Sequence, residues 1–161
     1  MAKFKFEGVD DLLAQYQKLG EHADEVAGKA IYNGAATVMK AVSAAVDGIA
    51  TDEHHGTAEN PCSGPTKYQK EGLIRSLGIT PMRLDGDFLN VKIGFDGYNG
   101  VKTKTWPNGQ PNSVVARSVE SGTSWMNKQP FMRKAEQSAR GQCERIMAET
   151  VDKEIKKLIS E

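Results

Sequence analysis

The sequence predicts an α+β fold: two N-terminal helices, a small antiparallel β-sheet, and a long C-terminal helix packed on the sheet. Three observations lead there. Ala27, Ala30, Ile31, Gly34, Ala35, Val38, Val42, Ala45, Val46 and Ile49 recur at three- and four-residue spacing, as one buried helical face does. Leu89, Val91, Ile93 and Phe95 alternate with Asn90, Lys92 and Gly94, the period of a half-buried strand. Met132, Ala135, Ala139, Cys143, Ile146, Met147, Val151, Ile155, Leu158 and Ile159 mark a second long helical stripe.

Taken in order, Phe4 and Phe6 around Lys5 read as a brief strand or extended arm. Asp10 or Asp11 can cap a first helix whose Leu12, Leu13, Tyr16 and Leu19 share a face, with Gly20 ending it. The second helix is expected from about Asp24 to Gly48. Its small residues admit another backbone at close range, either a helix of the same subunit or a neighbouring copy. Residues 51–67 carry Gly56, Pro61, Gly64 and Pro65 and no periodic apolar residues, so they read as a loop. Gln69 to Ser76 reads as a short helical turn. Leu77 to Leu84 reads as an extended segment whose Pro81 confines it to a sheet edge or bulge. Asp85-Gly86-Asp87 is a turn signal, which makes a β-hairpin with the strand through Phe95. Residues 96–112 form a second glycine- and proline-rich loop. Val114 to Glu120 is rich in β-branched residues and is expected as a third strand. Ser121-Gly122-Thr123 breaks it, and Pro130, which has no N–H to offer, suits the first turn of the last helix.

At 161 residues the chain reads as a single domain spanning 1–161. Hydrophobic content of 39% and charged content of 26% suit a soluble globular protein. Acidic and basic residues balance at 21 each, which argues against a general nucleic-acid binder. No apolar run approaches the ~18 residues of a membrane span, and no apolar signal core stands at the N-terminus. Two cysteines, Cys62 and Cys143, make no disulfide framework and agree with synthesis in a cytosol.

Catalytic chemistry finds no support. Ser121-Gly122-Thr123-Ser124 lacks the glycine–x–serine–x–glycine frame of a nucleophile elbow, and no phosphate-binding loop is present. His54, His55 and Cys62, with Asp52 and Glu53, are the cluster from which a metal-dependent hydrolase would be built. Adjacent histidines in a glycine- and proline-rich loop lack the spaced, rigid frame that zinc requires. Neither a metal nor a cofactor is expected. Lys102, Lys104 and Trp106 offer a weak DNA-facing loop through phosphate contact and base stacking. Arg75 is expected to pair with Glu120 across the sheet in a bidentate contact. Trp125 and Met126 are expected to pack beneath their connector, with partner anchoring as the alternative.

Glu120-Ser121-Gly122-Thr123, a short spacer, then Pro130-Phe131-Met132-Arg133-Lys134-Ala135 resembles the signature of the "gene product ten" family of lambdoid siphophages. Members are described as neck, head–tail joining or tail-completion proteins. Phe4-Lys5-Phe6-Glu7-Gly8-Val9-Asp10-Asp11-Leu12 is similar to that family's N-terminal strand and helix start. Glu71-Gly72-Leu73-Ile74-Arg75-Ser76-Leu77 resembles its middle motif. The order and spacing agree along most of the chain and least at residues 51–67 and 98–112. The resemblance implies a non-enzymatic virion protein, made in the bacterial cytoplasm, that forms a ring at the head–tail junction. A tail terminator or minor tail protein is the neighbouring alternative. The implied partners are further copies of itself, the head connector or adaptor, tail-tube or tail-terminator proteins, and DNA passing without sequence specificity. No membrane is involved. The candidate structural and interface positions are Arg75, Glu120, Gly122, Trp125, Pro130 and Phe131.

Overall fold

Two long helices set the axis of the molecule: α2 (Ala23–Asp47) and α5 (Phe131–Ser160). The computed structural model describes residues 9–86 and 88–160. The small residues of α2 serve helix packing within the chain. A methyl added at Gly34 would stand 2.7 Å from Met147 Cγ and 3.0 Å from Cys143 Sγ of α5. The absent side chain is what lets the α5 sulfurs reach the α2 backbone. Polar contacts flank this seam. Lys29 Nζ lies 2.7 Å from Glu154 and 2.8 Å from Glu25, and Asn33 Nδ2 donates to Thr150 Oγ1 at 3.1 Å. The Glu154 and Glu25 carboxylates hold the Lys29 ammonium above the usual lysine range. These exposed pairs fix register more than they stabilise.

The first helix, α1 (Val9–Glu21), starts slightly ahead of the expected aspartates and runs past Gly20. On its expected apolar face Leu13 and Tyr16 are 61% and 65% exposed, while Leu19 is half-buried. The expected Phe4–Phe6 strand lies outside the described residues.

After a loop, α3 (Lys67–Ser76) begins at a complete capping box. Gln69 N donates to Thr66 Oγ1, and Thr66 N donates to Gln69 Oε1. Lys70 Nζ reaches back to the carbonyls of Asp47 and Ile49, at 2.7 and 2.9 Å, and so closes the end of α2. A cation there also suits the negative pole of the helix.

The hairpin is present but interrupted. Its base pairs β1 (Leu77–Ile79) with β4 (Ile93–Phe95), and its outer part pairs β2 (Arg83–Asp85) with β3 (Phe88–Asn90). Between them Pro81 offers no N–H, in keeping with its place in an extended segment. Thr80 bridges the gap by donating its N–H to Lys92 O and accepting Lys92 N–H on its hydroxyl.

The expected third strand is not formed; Val114 to Glu120 lies within a helix, α4 (Asn112–Ser121). The buried residues are Asn112, Val115, Ala116 and Val119, a spacing of three, four and seven. That is a helical period, and it outweighs the strand preference of the valines because burial exceeds intrinsic propensity. Pro111 immediately precedes the helix and Gly122 ends it. Among the described residues the only ladders are those of the one hairpin.

The core lies where α2, α3, α4 and the start of α5 meet. Val42, Val46, Leu73, Val115 and Val119 are its most buried aliphatic side chains. The hairpin base joins this core through Leu77 and Phe95, and Phe95 meets Phe131 edge-on at 5.9 Å between ring centres. The long C-terminal helix therefore covers the sheet at its first turn. Beyond that turn it lies mainly along α2.

Candidate functional site

The residues singled out in the sequence converge on one joint, where α4 hands over to α5. Gly122 ends α4 with φ +74°, a left-handed angle that L side chains resist. A methyl there would also stand 3.0 Å from Lys128 N. The connector then turns through 123–126 and enters α5 behind Pro130, with Phe131 N donating to Gln129 O at 2.8 Å. Glu120 does not pair with Arg75. Its Oε2 accepts the Met132 N–H at 2.8 Å and its Oε1 accepts the Arg133 N–H at 3.2 Å. A helix start has orphan donors and a positive pole, so a carboxylate from the preceding helix satisfies both. Arg75 is exposed and lines a surface hollow with Tyr68, Asp96, Tyr98 and Asn112. The expected cross-sheet partnership fails because residue 120 is on a helix.

The connector also holds the long loop of residues 48–66. Cys62 N donates to Trp125 O, and Asn127 N donates to Cys62 O, both at 2.9 Å. Cys62 is buried, and its thiol reaches the same Trp125 carbonyl at 3.2 Å. Gln129 is the second clamp. Its side chain accepts from Ala50 N at 2.8 Å and donates to Ala50 O at 3.0 Å and Ser63 O at 2.8 Å. The backbone approaches so closely at Gly56 and Gly64 that an added methyl would meet the Trp125 and Ala50 carbonyl oxygens. This loop is thus held by bonds within one chain. Gln129 carries no signal in the sequence; nothing in a lone glutamine before a proline announces a clamp across 79 positions.

The histidine loop assembles around Asp52. The Asp52 carboxylate accepts from Ser63 N at 2.9 Å, Ser63 Oγ at 3.1 Å and His54 N at 3.1 Å. These bonds, chiefly that from the Ser63 amide, pull its pKa down to about 2. His54 Nδ1 lies 3.6 Å from Asp52, and Asn60 is beside its other nitrogen. Glu53 caps α3 at Lys67 N. Among the described residues no three His, Cys, Asp or Glu side chains gather as a metal would need.

The second loop is likewise internally bonded. Asn99 N donates to Gln110 O, Asn112 N donates to Gly97 O, and Thr103 and Trp106 exchange backbone bonds at 3.1 Å. Lys102 and Lys104 are exposed, while Trp106 is half-buried, which leaves less of its face for a base to stack on. Trp125 and Met126 part company: Met126 joins the core, and the Trp125 side chain is 54% exposed, against the expectation that both pack inward. Further large apolar side chains stand in solvent at the hairpin tip, where Leu84 is 69% and Phe88 78% exposed.

Fold and joint together define an α+β scaffold whose distinctive residues cap, clamp and pack. Among the described residues no helix is long and apolar enough to cross a membrane. Comparison with family models, with curated proteins and with solved structures finds no match to the chain.

Proposed function

We propose that this chain is a non-enzymatic structural protein of a tailed phage or prophage virion, forming a ring at the head–tail junction through which DNA passes. The observation that carries the reading is the convergence of two family-like motifs on one rigid unit. Gly72 and Leu73 of the middle motif are buried beside α4. Glu120, Gly122, Pro130 and Phe131 of the junction motif form the joint that launches α5. Each has a mechanical task, and a stiff body is what identical subunits need to repeat one contact around a ring. Exposed apolar groups at Phe88, Leu84 and Trp125 supply surface for neighbouring subunits or particle components. Lys102 and Lys104 offer DNA nonspecific phosphate contacts of the kind that weaken with salt.

The test is assembly. Native mass spectrometry and sedimentation, alone and with connector and tail-tube proteins of the same particle, should give a closed oligomer or a stoichiometric complex. A chain that stays monomeric and binds none of them is not a neck protein. Adding it separately to filled heads and to free tails distinguishes joining from tail termination.

A further inference from the structure

We infer that the hairpin tip of one copy of this chain seats in a basic-rimmed apolar hollow of the next copy, an inference that rests on the ring reading and gives it a contact. The tip is an apolar knob beside an acid. Phe88 is opposite Asp85 in the β2–β3 register, so the two side chains share one face of the ribbon. Both are exposed. A two-stranded ribbon is marginally stable by itself; this one rests on α2 near Met82, and its tip has Phe88 uncovered.

The hollow has the converse character. Its volume is about 360 Å³, and Ala45, Ile49, Pro130 and Phe131 form an apolar lining at the α2–α5 junction. Lys128 and Lys134 stand on its rim, both exposed. Among the described residues neither lysine, nor Asp85, is in an ion pair. An aromatic ring with a carboxylate at its side fits an apolar hollow edged by two ammonium groups. Shape supplies the affinity and charge fixes orientation. Arg83 and Lys92 share a surface hollow with Asp85 on the core side of the turn, and Asp85 is the one of the three nearest the tip.

The tip cannot fill its own hollow. The ribbon leaves the core at Leu77, and by Met82 it lies against Gly28 and Tyr32, with Met82 N donating to the Tyr32 hydroxyl at 2.8 Å. It therefore travels toward the start of α2, while the hollow is at that helix's end. Tyr32 and Ala45 alone are about 20 Å apart along the axis, at ~1.5 Å per residue. Knob and hole are different surfaces at opposite ends, so the contact is head-to-tail, and repetition gives a ring or a filament.

The experiment uses the full chain in three forms, each checked by circular dichroism for native helix content. Phe88→Ser with Asp85→Ser removes the knob, and Lys128→Glu with Lys134→Glu reverses the rim. The third form, Asp85→Lys with Lys128→Glu and Lys134→Glu, exchanges the charges. Sedimentation of the wild type should show association with itself. Each of the first two forms should weaken that association about ten- to a hundredfold, since a buried aromatic or a matched charge pair is worth that much. Mixed together, those two forms should yield a one-to-one pair and nothing larger, because each retains one intact surface. The exchanged form should recover part of the wild-type association. Rings that form equally well from all three variants overturn this contact while leaving the ring reading standing. Wild-type chain that never self-associates overturns the contact, and the neck reading then depends on partner binding alone. Wild-type chain that binds neither itself nor particle proteins removes both.

Discussion

Replacing Glu120 tests the joint directly. Its carboxylate accepts two amide N–H groups at the start of α5, from Met132 at 2.8 Å and Arg133 at 3.2 Å. Hydrogen bonds to a charged acceptor contribute about 1.5–3 kcal/mol, and a carboxylate at a helix start adds up to ~1 kcal/mol. Water can partly replace the lost partners at this half-buried site, so Glu120→Ala should cost about 2–3 kcal/mol. Glu120→Gln keeps one acceptor oxygen and loses the charge, which should cost about 1 kcal/mol. Urea titration followed by circular dichroism reads both values, with the slope unchanged because the unfolded surface is the same. In thermal melts the Ala variant should fall by roughly 4–12 °C for a domain of this size. Arg75→Ala should have little effect, and the double mutant should be additive, because the two side chains share no contact. An Ala variant within 0.5 kcal/mol of wild type, or coupling with Arg75, would refute the capping account.

Three further outcomes follow from the same structure. Gly34→Val should destabilise by about 2 kcal/mol through collision with Met147 and Cys143, and Met147→Ala in the same chain should recover part of this; an unchanged midpoint in urea contradicts the close α2–α5 approach. Gln129→Ala should open residues 50–64 to limited proteolysis before global unfolding, since three bonds between loop and connector are lost together; cleavage at the wild-type rate contradicts the clamp. Asp52 titrates at about 2 in the folded chain against an ordinary 3.8. A depressed folded value contributes stability that is fully present above 3.8 and lost as pH falls toward 2. Carboxyl shifts measured by NMR through that range should show the low midpoint, and Asp52→Asn should abolish the associated loosening of the His54 and Ser63 amides. A midpoint at the ordinary aspartate value contradicts the bonding described for this loop.

Periodicity makes the long elements legible. The α2 and α5 stripes run over many turns, and each further turn strengthens a period that a strand cannot imitate. The turn at Asp85-Gly86-Asp87 and the alternation after it locate the hairpin, because two-residue spacing admits one kind of backbone. Residues 112–121 mislead because three valines favour a strand locally while the burial of Val115 and Val119 demands a helix. Local preference amounts to tenths of a kcal/mol per residue. Burying a valine against Leu73 and Val46 stabilises by about 1.5–3 kcal/mol, so packing sets the outcome.

Periodic stretches, turn positions and the balance of acidic and basic residues are all legible in the linear chain. Those properties depend on residues a few positions apart. The tasks of Glu120, Gln129 and Cys62 emerge in three dimensions alone, because their partners are 12, 79 and 63 positions away. Hydrogen bonds of that reach depend on where whole helices come to rest. Only the assembled fold could set an acid-flanked aromatic at one end of α2 and a lysine-rimmed hollow at the other, since neither surface is continuous along the chain.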